Sequence, residues 1–141
     1  MTSRTFAIIK PDAVNNNYSG KIIDHILKSG FKILSARFTK MTKQQAEGFY
    51  GIHRGKAFFE ELTTFMSSGP CWVLALEKEN AVEEWRKTIG ATNPVDADNG
   101  TIRKLYATSL GENAVHGSDS DENARIEIGF FFSESDIIAC R

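Results

Sequence analysis

Residues 113–120 read NAVHGSDS, one imidazole set between small apolar residues and a Gly-Ser-Asp-Ser run. A neutral imidazole keeps one ring nitrogen with a free lone pair, which can attack phosphorus or take a proton. Metal ligation is a poor reading, because His25, His53 and His116 show no metal-ligand spacing and Cys71 and Cys140 offer no paired thiolates. Serine hydrolysis fails too: there is no G-x-S-x-G, and Ser118 stands too close along the chain to form a Ser–His pair. The segment GIHRGKA (51–57) imitates a phosphate loop but is one residue short between its glycines, and Ala57 stands where Ser or Thr would hold magnesium.

A chain without a glycine-rich phosphate loop must hold phosphate with side chains. Lys10 closes the first apolar run, Arg86 lies in the last turns of a helix, and Arg103 lies in a long turn-rich segment. Arginine suits bidentate contact with phosphate oxygens, and lysine acts as a point charge. Asp119 is the candidate water-mediated partner for Mg²⁺, an ion that keeps several waters and few protein ligands. Glu127, on the helix that follows the histidine, can fold back from about the second turn to fix the ring. Gly117 allows close approach of backbone or ligand.

The elements that must position these groups follow from periodicity. TFAII (5–9) reads as a strand stopped by Lys10-Pro11. Ser19 is expected to cap a helix over 20–29, with Ile22, Ile23, Ile26 and Leu27 on one face and Gly30 as its stop. Residues 31–39 read as a second strand, completing a βαβ-like unit. Thr42–Gln45 fits a capping box for a helix to about Tyr50. A second helix over 56–67 carries Phe58, Phe59, Leu62, Phe65 and Met66 at helical spacing. CWVLAL (71–76) is too uniformly apolar to be half-exposed and predicts a central strand. Asn80 is expected to cap a helix ending at Gly90. A last helix follows Ser120, with Ala124, Ile128, Phe131 and Phe132 buried. Residues 90–115 have weak periodicity and read as a long functional loop. The fold class is α/β, a small sheet with helices packed on it.

The 141 residues, 41% hydrophobic and 25% charged, suit one domain spanning 1–141 with a core of its own. A net charge of −1 disfavours nucleic acid as the main partner. No apolar run approaches the ~20 residues of a membrane span. The opening MTSRTFAIIKPD lacks the pattern of a signal peptide, and two unpaired cysteines suit a reducing setting. A cytoplasmic protein with free thiols, without membrane association, is expected.

Taken together and in order, IIKPDAV, FFEEL, SSGP, GATNP, GTIR and NAVHGSDS resemble the nucleoside diphosphate kinase family, with a length similar to its short, bacterial-type members. The resemblance spans Arg4 to about Phe132. It implies a ferredoxin-like α+β sandwich on a four-stranded antiparallel sheet, with a very short strand bearing His116. It further implies ping-pong transfer of the γ-phosphate of a nucleoside triphosphate to a nucleoside diphosphate through a phosphohistidine. His116 matches the nucleophile, and Glu127 with Ser118 the groups that hold its ring. Lys10, Tyr50, Arg103 and Asn113 match residues around the ribose and the transferring phosphate. Arg86 and Thr92 match contacts to the other phosphates, and His53 joins them. Phe58 matches the aromatic on which the base stacks, flanked by Leu62 and Leu110. Mg²⁺ would be held mainly by the nucleotide, and a homo-oligomer, tetramer or hexamer, is implied. Lys104-Leu105 after GTIR depart from the family, where a small residue and an acid are usual. Two other readings stay open at this point: a phosphatase working through a histidine phosphate, and a nucleotide-binding protein without turnover.

Overall fold

A computed structural model describes residues 2–140. Four strands, β1 (Thr2–Ile9), β2 (Lys32–Thr39), β3 (Cys71–Glu79) and β4 (Val115–Gly117), form one sheet in the order β2-β3-β1-β4. Every neighbouring pair is antiparallel. The expected βαβ unit is therefore a split one: β1 and β2 run parallel with β3 between them.

Alternation along the central strands divides the core in two. Phe6 and Ile8 of β1 and Cys71, Val73 and Ala75 of β3 face one cluster, while Ala7, Ile9, Leu74 and Leu76 face the other. Helices α3 (Lys43–Phe49), α4 (Phe59–Met66), α7 (Asp121–Phe131) and α8 (Glu134–Ala139) supply the first cluster. Helices α1 (Pro11–Asn15), α2 (Ser19–Lys28), α5 (Ala81–Ile89) and α6 (Ile102–Tyr106) supply the second. With both faces covered, the uniformly apolar β3 is the central strand its composition requires.

Most expected elements are present, with shifted ends. The Thr42–Gln45 capping box forms as read, each side chain bonding the other's backbone N–H. Ser19 is the first helical residue rather than the cap, and Leu27 lies off the buried stripe, 53% exposed. The helix expected over 56–67 begins only at Phe59, after a 3₁₀ turn at Gly51–His53. Asn80 stands at the N-cap of α5 but makes no cap bond; it adopts φ 54°, and the Ala81 N–H donates instead to Ser3 Oγ at 2.9 Å. The long segment 90–115 is not irregular throughout, since it folds a 3₁₀ turn at Pro94–Asp96 and the short helix α6.

Candidate active site

Strand β4 pairs His116 with Ile8 and so turns the imidazole onto the same face as Ile8. There the ring meets Phe6, Phe49 and Tyr50 edge-on, with centroids 6.2, 5.6 and 6.2 Å away. Its neighbours Val115 and Gly117 point the other way. A Cβ on Gly117 would lie 2.8 Å from Trp85 Cδ1, so only glycine lets α5 pack this closely against β4. The Trp85 indole uses that approach to donate to the His116 carbonyl at 3.2 Å.

Glu127, in the second turn of α7, reaches back to the ring. Its Oε1 lies 2.8 Å from His116 Nε2 and accepts the Ser118 hydroxyl, also at 2.8 Å. Ser118 is fully buried and in turn accepts the Phe6 N–H at 3.4 Å. A carboxylate only accepts, so the ring proton sits on Nε2 and Nδ1 keeps the lone pair. The histidine is thus oriented, held in one tautomer and left with one nucleophilic nitrogen.

The cations form an arc around the turn before β4. Lys10 Nζ donates to Asn113 Oδ1 at 2.8 Å, and Asn113 Nδ2 donates to the Thr92 carbonyl at 3.1 Å. Arg103, on α6 rather than in a loop, donates to the carbonyls of Asn113, Gly90 and Val115 at 3.3, 3.0 and 2.9 Å. Three of its five N–H groups are so engaged, and two remain for a ligand. Burial, with Arg103 nearby, pushes Lys10 down to about 8; Asp12 opposes the shift. Burial and the neighbouring Arg86 push Arg103 down to about 10. Arg86 itself is exposed. On the same helix Glu83 pairs with Lys87, and Glu84 with Lys78 and Lys87.

Arg86, Thr92, Arg103 and Asp119 line a cleft of about 970 Å³. Neither His116 nor Phe58 lines it, so the cleft marks the cation end of the site and not its whole extent. Phe58, at the N-cap of α4, is 47% exposed while its neighbour Phe59 packs on the core. His53 stands 5.2 Å from the Phe58 ring, and Lys56 Nζ lies 3.1 Å from His53 Nδ1. Burial chiefly, then Lys56, lowers the His53 pKa; Asp119 and His116 also act on it, linking this aromatic end to the histidine. Leu62 is half-buried against the core and Leu110 is exposed. Tyr50 is buried beside His116, its hydroxyl without a hydrogen-bond partner.

Asp119 is exposed, and a hydrogen bond from Asn123 holds its carboxyl below the usual range. No group of three His, Cys, Asp or Glu could hold a metal among the described residues. Sequence reasoning missed Asp12, a buried carboxylate whose Oδ2 accepts the Ala114 N–H at 3.0 Å. Its sequence signal is its place in the motif IIKPDAV, directly after Lys-Pro, and nothing along the chain ties it to Ala114.

The sequence model of the family described as nucleoside diphosphate kinase matches residues 3–137. The nucleoside diphosphate kinase of Geotalea uraniireducens is 55% identical over 135 residues, 96% of this chain and 98% of its own. That of Flavobacterium psychrophilum is 57% identical over 132 residues, 94% and 95% of the two chains. Among solved structures, the Aquifex aeolicus nucleoside diphosphate kinase superposes with a TM-score of 0.94 at 40% identity, covering 96% of this chain and 99% of that one. A halophilic nucleoside diphosphate kinase from Halobacterium salinarum, solved in complex with CDP, gives 0.91 at 34% identity, covering 96% and 91%. With an oriented histidine, an arc of cations beside it and this likeness over nearly its full length, the chain belongs to the nucleoside diphosphate kinase family, enzymes that transfer phosphate between nucleotides.

Proposed function

We propose that the chain moves phosphate in two half-reactions through His116. Nδ1 attacks the γ-phosphorus of a nucleoside triphosphate, the bond to the bridging oxygen breaks, and a nucleoside diphosphate leaves. The terminal oxygen of a second nucleoside diphosphate then attacks the phosphohistidine, and Nδ1 regains its lone pair. Glu127 keeps the Nε2 proton in place and balances the charge that the ring acquires, with Ser118 fixing the carboxylate. Lys10, Arg103, Arg86, Asn113 and Thr92 surround the transferring and remaining phosphates, so catalysis is positioning and charge neutralisation. His53 borders the phosphates, and Tyr50 packs edge-on against the imidazole beside the transferring phosphate, its hydroxyl buried. The observation that carries this reading is the occupied Nε2 beside a free Nδ1.

Phe58, with Leu62 and Leu110 beside it, takes the base by stacking. That is worth about 1–3 kcal/mol and is nearly indifferent to base identity. Mg²⁺ travels with the nucleotide phosphates. Asp119 fits a water-mediated role, being exposed on the cleft that Arg86 lines while the described residues build no cage of their own. When bound, the ion neutralises phosphate charge. We place the single-domain enzyme in the cytoplasm as a homo-oligomer, tetramer or hexamer; no described helix is long and apolar enough to cross a membrane.

Intact mass after incubation with ATP and Mg²⁺ tests the mechanism. One added phosphate is expected, absent in His116→Ala and removed by GDP as GTP appears. Phosphate lost to water equally fast without GDP would favour a phosphatase. ADP binding with no added mass would leave a nucleotide-binding protein without turnover.

A further inference from the structure

The turn that delivers the chain to His116 is strained. Ala114 has φ 71°, a region that L side chains rarely adopt, and the Val115 N–H donates to the Asn113 carbonyl across it at 2.8 Å. Those features define the rare, strained form of the γ-turn. Such a conformation persists only where its surroundings over-determine it. Two groups do so here: the Lys10 N–H donates to the Ala114 carbonyl at 2.8 Å, and Asp12 Oδ2 accepts the Ala114 N–H at 3.0 Å. Asp12 sits in the first turn of α1, just 6% exposed, with Oδ1 buried and unpartnered. Burial pushes this carboxyl above its usual range, while the Ala114 N–H and the charge of Lys10 favour the ionised form, so holding it here is costly. The turn it holds presents Asn113, whose side chain takes Lys10 and whose carbonyl takes Arg103.

We propose that Asp12 is a positioning residue for phosphoryl transfer: its carboxylate locks the strained turn at Ala114, which through Asn113 holds Lys10 and Arg103 in register with His116. The same carboxylate is the anion beside Lys10. The charged groups acting on Lys10 are Asp12 from α1 and Arg103 from α6, and Asp12 alone favours the protonated amine. The carboxylate therefore does two things at once, fixing where the ammonium stands and helping it stay charged. The inference rests on the phosphohistidine reading of His116.

The experiment compares the parent, Asp12→Ala, Asp12→Asn and Asp12→Ala/Ala114→Gly, measuring kcat, KM and the pH profile of kcat/KM for ATP-to-GDP transfer. Asp12→Ala should lower kcat about tenfold or more with a smaller effect on KM, because the transition state depends on exact placement of the cations. Asp12→Asn still accepts the Ala114 N–H and should recover most of that loss. Its alkaline limb should nonetheless fall at lower pH than the parent's, since Lys10 has lost its anion. Glycine tolerates positive φ, so Ala114→Gly should restore part of the kcat lost in Asp12→Ala. Three results overturn the proposal: Asp12→Ala within twofold of the parent, a loss relieved neither by Asp12→Asn nor by Ala114→Gly, or an Asp12→Asn limb that superimposes on the parent's. Should Asp12→Ala fail to fold, the Asp12→Asn limb decides it. A parent with no phosphoenzyme and no transfer would instead sink the reading of His116, so the two failures are told apart.

Discussion

At the residue scale, the site holds its charges against the preference of the fold. Lys10 loses its proton at about 8 in the folded chain, against 10.5 for an ordinary lysine. The unfolded chain holds the proton more tightly, so the penalty is complete below about pH 8. Stability contributed by this group rises between about 8 and 10.5 as the folded amine, then the unfolded one, discharges. The shift corresponds to about 3 kcal/mol at neutral pH, opposed by the hydrogen bond to Asn113. Lys10→Met should therefore raise the stability of the nucleotide-free protein by about 1–2 kcal/mol in urea unfolding while abolishing most transfer. In the parent, kcat/KM, which reports free-enzyme groups, should decline above about pH 8 as the ammonium is lost. Glu127→Gln tests the other charge. Its carbonyl still accepts from Nε2, but the anion proposed to balance the phosphohistidine is gone, and the rate of phosphoenzyme formation should fall about 10- to 100-fold in a quenched-flow assay.

Elements rather than residues decide how near these groups come to one another. Strand β4 is three residues long and owes its place to pairing with β1 and to the indole of α5. Gly117→Ala puts a methyl group 2.8 Å from Trp85 Cδ1 and 3.2 Å from Ile89 Cδ1. Neither side chain has room to retreat in a fully packed cluster. The expected cost is about 2–3 kcal/mol in denaturant unfolding, with phosphoenzyme formation reduced as well because His116 is displaced. Sequence signals are legible wherever they act locally. The Thr42–Gln45 box acts within one helix, and the apolar run of β3 and the stripe of α7 show in the spacing of each element's own residues. What stays hidden depends on distant partners. The cap of α5 comes from Ser3 on β1, so Asn80 looks sufficient in the sequence and is not. Helix α6 is too short for periodicity to reveal, which is why the sequence alone places Arg103 in a loop. The ordered motifs contain His116 and Lys10, and Glu127 is read from its place on the following helix; Asp12 stands in the first motif too, but its role becomes visible only when Ala114, far along the chain, is seen to need it.

At the scale of the whole molecule, the two edges of the sheet are managed differently. One edge is β4, too short to invite pairing, whereas the other is β2, eight residues long. Native proteins seldom leave a long edge with apolar side chains bare. Phe38, at its far end, is 52% exposed beside the Trp72 ring, 5.1 Å between centroids. For the proposed homo-oligomer, the expected outcome is that a second copy of the chain covers β2. Phe38→Glu places a charge on that edge without entering the core, and burying it in an interface is costly. Light scattering after size exclusion should show the parent as an oligomer and Phe38→Glu as a smaller species. The parent's melting temperature should rise with protein concentration and the variant's much less, because association that binds only the folded state stabilises it by mass action. Equal masses for parent and variant would remove β2 from the interface and leave the active site, which no residue of β2 enters, unaffected.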